Sequence, residues 1–225
     1  MIFTWNNPAP DGGSPSEELL VAFDQDRATR VLVLPAWFDE ANKLRRFTVE
    51  VMRRLDRAGI DSLLPDLPGC NESPAPQEHQ TLEGWRACAS AAAESLRATH
   101  VLAIRSGSLL APVGLPGWHY APQSGAKLLR GMIRARIISS REAGISETSD
   151  QLLVTGRSHG LVLGGWHLGA AMIAALERAE PVLAAGQAPI AQSDVGGAGL
   201  WLRAEPDDNP AQADTLAGLI AAALA

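Results

Sequence analysis

The sequence predicts an α/β protein, with a mostly parallel sheet covered by helices on both faces. Three observations predict it. Short apolar runs alternate with stretches whose apolar residues recur at helical spacing. The clearest run, Val31–Leu34, is apolar at every position, as a strand buried on both faces requires. No linker divides the chain after its first residues, so the repeated strand–helix units belong to one sheet.

Residues 1–16 are rich in Pro, Gly, Asn and Ser and read as an arm or an edge hairpin, with one domain over 17–225. After Val31–Leu34, the spacing of Leu44, Phe47, Val51, Leu55 and Ala58 predicts a helix that Gly59 ends. Asp61–Leu64 is the next strand, and residues 65–69 (PDLPG) are the turn behind it. Leu82, Trp85, Ala89, Ala92 and Leu96 make a second helical stripe. His100–Ile104 is the third strand, and Ser106–Ala111 opens a helix that Pro112 cuts short. Six Gly and Pro residues then interrupt 112–125, before Leu128, Leu129, Met132, Ile133 and Ile137 mark another helix. Gln151–Thr155 and Leu161–Leu163 are further strand candidates, and Leu168–Arg178 is helical. Leu200–Ala204 reads as the last strand and Ala211–Leu224 as the last helix. Val31–Leu34, Asp61–Leu64, His100–Ile104 and Leu200–Ala204 are expected side by side. Such sheets bind ligands beyond the carboxyl ends of their strands, so the loops at Pro35, Pro65, Arg105, Pro122 and Glu205 should carry the site.

Composition bounds the function. Of 225 residues, 46% are hydrophobic and 20% charged, enough to fill a core. A net charge of -6 without a basic stripe argues against a nucleic-acid partner. Met1–Gly13 lacks the basic and apolar regions of a signal peptide, and no run of about 18 apolar residues offers a membrane span. A cytoplasmic protein is expected. Cys70 and Cys88 form no metal motif and read as reduced thiols; neither metal nor cofactor is expected.

The third strand runs into residues 101–111 (VLAIRSGSLLA). In α/β-hydrolases a strand enters a tight turn, G-x-S-x-G, whose serine is the nucleophile. Ala103, Gly107 and the following helix fit that elbow, but Arg105 stands at the nucleophile position. A guanidinium stays protonated and cannot attack a carbonyl. Ser106 and Ser108 lie beside it and read as helix-capping or packing residues. Glu205, Asp207 and Asp208 follow the expected last strand, where the acid of a triad belongs, but no histidine follows His167. Cys70, behind the second core strand, is a further nucleophile candidate, without a neighbouring base in sequence. The loop 35–46 (PAWFDEANKLRR) is unusual: Asp39 and Glu40 suit a helix start, whereas Lys43, Arg45 and Arg46 demand anionic partners there.

These segments carry a resemblance. The loop is similar to P-P-F-A-E-E-M-N-K-S-R-R, matched at Glu40, Asn42, Lys43, Arg45 and Arg46. The next loop resembles D-L-x-G-C-G-D-S, matched at Asp66, Leu67, Gly69, Cys70 and Ser73, with Asn71 in place of a glycine that a left-handed position explains. The elbow resembles G-x-R-x-G-x-L-L-A, matched at Arg105, Gly107, Leu109, Leu110 and Ala111. Over residues 30–205 the chain thus resembles the α/β-hydrolase-fold proteins called exosortase A system-associated hydrolases, of the hydrolase 2 type. The segment 112–121 is shorter than in that family, and its usual final strand is missing. The resemblance implies an α/β-hydrolase-like fold and a link to exosortase sorting and exopolysaccharide production. It makes the elbow arginine a family feature.

The reading that results is a non-hydrolytic binder of an anionic or acyl small molecule. Arg105 would be its anchor, with Asn42, Lys43, Arg45 and Arg46 as rim and Glu40 and Asp66 beside them. Two rivals stand against it. One is an ester or thioester hydrolase using Ser106, Ser108 or Cys70, with Asp207 as the acid. The other is an assembly protein, a homo-oligomer among the options, whose charged loop is an internal salt network with Arg105 paired to Glu40, Asp39 or Asp66.

Overall fold

The computed structural model describes residues 1–8 and 15–225. In chain order its elements are β1 (Ile2–Asn7), β2 (Ser16–Phe23), β3 (Arg30–Leu34), α1 (Asp39–Arg57), β4 (Asp61–Pro65), α2 (Leu82–Ser95), β5 (His100–Ile104) and β6 (Gly117–Tyr120). There follow α3 (Gly125–Glu142), α4 (Ser149–His159), β7 (Leu161–Leu163), β8 (Trp166–Leu168), α5 (Ala170–Leu176), β9 (Gln187–Ile190), α6 (Gln192–Val195) and α7 (Pro210–Leu224).

Seven strands form one sheet in the order β1-β2-β4-β3-β5-β6-β9, parallel from β4 onward. At its edge β1 (Ile2–Asn7) pairs antiparallel with β2, and β2 antiparallel with β4. Strands β3 and β4 are buried at every position. Their alternate residues face two apolar layers. Val31 and Val33 pack with Phe47 and Val51 of α1 and Leu216 and Ile220 of α7. Leu32 and Leu34 pack with Trp85 of α2 and the inner residues of α3 and α5.

The expected neighbours β4, β3 and β5 are neighbours. Leu200–Ala204 is not a strand: residues 200–202 form a single 3-10 turn in which Leu200 is buried and Leu202 is 73% exposed. The sheet ends instead on β9, whose Pro189 conceals it in the sequence; an edge strand tolerates the missing N–H. Gln151–Thr155 is helical. The Thr148 side chain caps the Gln151 N–H, the Gln151 side chain caps Thr148 in return, and the buried residues Leu152 and Gly156 stand four apart. Strand β6 hides behind Pro112, Gly114 and Pro116; His119 Nε2, 3.1 Å from Gln187 Oε1, ties it to β9. The segment after Ile104 makes one 3-10 turn, Arg105–Leu109, rather than a longer helix.

Between β6 and β9 the chain inserts α3, α4, the β7–β8 hairpin and α5, of which Leu128, Met132, Leu163 and Trp166 border the cavity shared with Trp37, Phe38 and Glu40. Arg136 pins this insertion. Its Nε and Nη2 donate to the two oxygens of Glu147 at 3.0 and 2.6 Å, its Nη1 to the Val162 carbonyl at 2.9 Å, and Ser140 Oγ donates to Glu147 Oε2 at 2.6 Å. These donors hold the Glu147 carboxyl at about 2, below its ordinary range.

Two expectations follow. A carboxyl held low in the folded state contributes stability above its unfolded value, and that stability is lost as pH falls from about 4.3 through about 2. Urea midpoints measured across that window should fall less steeply for Glu147→Gln than for the parent; equal slopes would refute the assignment. At the elbow, a Cβ on Gly107 would meet the Leu34 carbonyl oxygen and lie 2.6 Å from that of Pro35. Gly107→Ala should therefore cost about 1–3 kcal/mol in urea unfolding, whereas Gly114→Ala, with open space around it, should be near neutral.

Candidate functional site

The carboxyl ends of β3, β5 and β6 meet at Arg105. It stands directly behind β5 with φ 54°, a left-handed conformation unusual for a residue with a Cβ and the one a strand-to-helix elbow needs at its tip. Two neighbours share the strain: Phe38, which precedes α1, has φ 56°, and Ala121, which follows β6, has φ 44°. Sparsely populated backbone of this kind persists where the surroundings over-determine it, and it clusters at functional sites.

The guanidinium joins these segments. Nε donates to Glu40 Oε2 at 2.9 Å and Nη2 to Glu40 Oε1 at 3.0 Å, a two-point fork on the carboxylate. Nη1 donates to the Ala121 carbonyl at 2.9 Å. The group lies 4.0 Å over the ring of Trp201. Only 6% of the Arg105 side chain and 16% of that of Glu40 is exposed. The Gln123 N–H donates to the Arg105 carbonyl at 3.3 Å, so the loop behind β6 is fastened to the elbow as well.

The segment 35–46 read as a loop in the sequence is helical from Asp39, and its remaining charges, in the first turns of α1, also have partners within the molecule. Lys43 Nζ lies 2.7 Å from Asp39, Arg45 Nη1 3.3 Å from Asp66, and Arg46 Nη2 3.0 Å from Asp208. Asn42 is exposed. Asp66 is buried and accepts from Asn71 Nδ2 at 2.7 Å; Asn71 has φ 51°, the left-handed position expected of it.

Two cavities flank the elbow. One, of about 350 Å³, has Trp37, Phe38, Asp39 and Glu40 on one side, Leu128, Met132 and Trp166 of the insertion on another, and Gln123 and Trp201 beside Arg105. The second, of about 380 Å³, lies toward β4 and is lined by Trp37, Asn42, Arg45, Asp66, Cys70 and Asn71 among others. Trp37 and Phe38 wall both. The candidate residues therefore divide: Glu40 borders the first cavity, Asn42, Arg45, Asp66 and Cys70 the second, and Lys43 and Arg46 neither.

The nucleophile and acid candidates have other occupations. Ser106 is fully buried, and its Oγ accepts the Trp37 N–H at 2.9 Å. Ser108 is buried, and its Oγ has no partner. Asp207 is exposed, 3.7 Å from Arg203, and follows the 3-10 turn rather than a strand. The first acid after the true last strand is Asp194, in the short helix α6, whose Oδ2 accepts the Ala191 N–H at 2.8 Å. Among the described residues no histidine ring is bonded to a serine, a cysteine or a carboxylate. His100 Nδ1 meets Thr99 Oγ1 at 2.9 Å, His119 meets Gln187, and His79, His159 and His167 are exposed. Among the described residues, no group of three or more metal-ligating side chains converges, and no helix is long and apolar enough to cross a membrane.

Sequence reasoning missed Trp201, Gln123 and Trp166. Trp201 and Gln123 touch Arg105 and Trp166 packs on Phe38 across the shared cavity lining, and no spacing along the chain connects the three to residue 105.

No family model matches the chain, and no curated protein matches it. Solved structures do resemble it. Alpha/beta hydrolase domain-containing protein 10 from mouse superposes with a TM-score of 0.51 at 11% identity, over 79% of this chain and 69% of that one. Est1E from Butyrivibrio proteoclasticus, solved with ferulic acid bound, gives 0.41 at 13% identity, over 78% and 71%. A serine hydrolase from Cycloclasticus zankles gives 0.42 at 14% identity, over 54% and 46%. The chain spans between 46% and 61% of the length of the first few such neighbours. The mouse protein and the strand order establish the fold: this is an α/β-hydrolase-fold protein, a mostly parallel sheet flanked by helices. At these identities the likeness is one of fold, and chemistry has to be argued from the site.

Cys70 offers a direct check on that chemistry. Burial, with the carboxylates of Asp66 and Glu18 adding to it, pushes its thiol up to about 12; burial does the same to Cys88. A reactive cysteine needs the opposite shift. Iodoacetamide at about pH 8 should leave both cysteines unmodified in the folded protein and alkylate both in urea, read by intact mass. Rapid alkylation of folded Cys70 would restore it as a nucleophile.

Proposed function

We propose that this chain is a non-hydrolytic, ligand-holding protein on the α/β-hydrolase fold, in which the elbow arginine is a strut. The observation that carries the reading is the Arg105–Glu40 fork. It occupies the tip of the elbow, where a nucleophile would stand, and it engages the guanidinium that an anionic ligand would otherwise need. The anchoring of an anion by Arg105 accordingly gives way to internal pairing. The second support is the environment of the alternatives: Ser106 serves the 35–46 loop, and Cys70 holds its proton. The two cavities beside the elbow supply the room for a ligand.

The loop and elbow motifs further support assigning the chain to the exosortase A-associated, hydrolase 2-type proteins. On that assignment the ligand belongs to an exosortase- or exopolysaccharide-linked process, and the protein works in the cytoplasm.

Activity and stability test this together. The protein should give neither burst nor turnover with p-nitrophenyl esters and should resist fluorophosphonate labelling. Arg105→Ala should destabilise it by about 3 kcal/mol or more, because it strands the Glu40 carboxylate half-buried. Adding Glu40→Gln should recover part of that loss, the non-additivity of residues in contact. Ester turnover abolished by Ser106→Ala or Ser108→Ala would overturn the reading in favour of a hydrolase.

A further inference from the structure

We infer that the cavity beside the Arg105–Glu40 pair takes a neutral ligand, with a flat aromatic or unsaturated body and a carboxamide-like head, in preference to a free carboxylate or phosphate. The inference rests on the ligand-holding reading above and names the class of ligand.

The walls argue for the body. Phe38 and Trp166 stand with ring centroids 5.5 Å apart and Trp37 and Phe38 6.3 Å apart, and Trp201 also lines the cavity. Leu128 and Met132 of α3 complete an apolar surface against which a ring can pack.

The charges argue against an anion. Two carboxylates border this cavity, Asp39 and Glu40, and no cation lines it. Glu40 is neutralised by the Arg105 fork and Asp39 by Lys43. The guanidinium meanwhile gives one face to Trp201, and three of its N–H groups are in use. An incoming anion would leave water and find no free positive charge to pair with; a neutral molecule needs none.

The unpaired polar atoms argue for the head. Gln123 is 6% exposed and walls the cavity, yet its Oε1 has no hydrogen-bond partner. Trp37, another wall residue, keeps its indole N–H buried and likewise unpartnered. One is an acceptor lacking a donor, the other a donor lacking an acceptor. A carboxamide carries both complements. Satisfying buried polar groups that are otherwise unmet is where hydrogen bonds contribute most to selectivity.

Naphthamide and naphthoate, equal in shape and different in charge, test this on the intact protein by thermal shift and equilibrium dialysis. Naphthamide should bind about tenfold more tightly or better, and Gln123→Leu should remove about that factor while leaving the melting temperature of the free protein near its parent value. Naphthoate binding as tightly as the amide, or an amide affinity indifferent to Gln123→Leu, would overturn the inference and leave the ligand-holding reading standing. Hydrolysis of a naphthyl ester would instead defeat the non-hydrolytic reading, while the amide-to-carboxylate ranking still decides the inference. Binding of neither probe would defeat the inference and count against the cavity as a ligand site.

Discussion

A charge placed at a buried turn must be answered, and the answer given to Arg105 organises this end of the molecule. The Glu40 fork draws the first turn of α1 against β5, the bond to Ala121 draws in the loop behind β6, and the face of Trp201 closes over the group. Three residues held at positive φ, Phe38, Arg105 and Ala121, border this one interaction. Their strain costs on the order of 1–3 kcal/mol each, and it is tolerated because the ion pair leaves the segments nowhere else to go. Lysine could not substitute: a single ammonium cannot fork on a carboxylate, reach a carbonyl and stack on an indole together.

The elbow thus keeps its shape with a different content. In a serine hydrolase the tight turn lifts a nucleophile toward a cleft. Here the same backbone lifts a cation into a salt bridge, and the neighbouring Ser106 hydroxyl fixes the loop at Trp37. The charged loop that looks like a binding surface in the sequence becomes a set of internal pairs, Lys43 with Asp39, Arg45 with Asp66 and Arg46 with Asp208. What stays open on either side is largely apolar, walled by Trp37, Phe38 and Trp166.

The opposite end of the sheet uses charge in the same manner. Arg30, at the start of β3, donates to Asp24 at 2.7 and 2.8 Å and to the buried Asp61 at 3.1 Å, and Arg27 reaches Asp61 at 3.0 Å. The Arg30 guanidinium holds the Asp24 carboxyl far below its ordinary range. Strands β3 and β4 are therefore clamped by arginine–carboxylate networks at both ends, with aliphatic side chains and one buried serine, Ser62, between.

The sequence by itself determined the fold class, the three central strands, the helices that flank them and the elbow with arginine at its tip. These follow from local signals: runs apolar at every position, helical spacing, and a glycine where the turn packs against β3. It also determined that Glu40 was among the acids able to meet Arg105. Tertiary structure decided which acid did, because the choice among Asp39, Glu40 and Asp66 depends on where α1 and β4 place them around β5. It decided too that β9, with its proline, joins the sheet while Leu200–Ala204 does not. A strand exists by virtue of the partner it pairs with, and β6 was itself hidden among breakers. Trp201 and Gln123 lie 96 and 18 residues from Arg105 in the chain and touch it only because the sheet order brings three loops to one edge. Periodicity reports which face of an element is buried; which residues from separate elements share one cavity is a property of the packed whole.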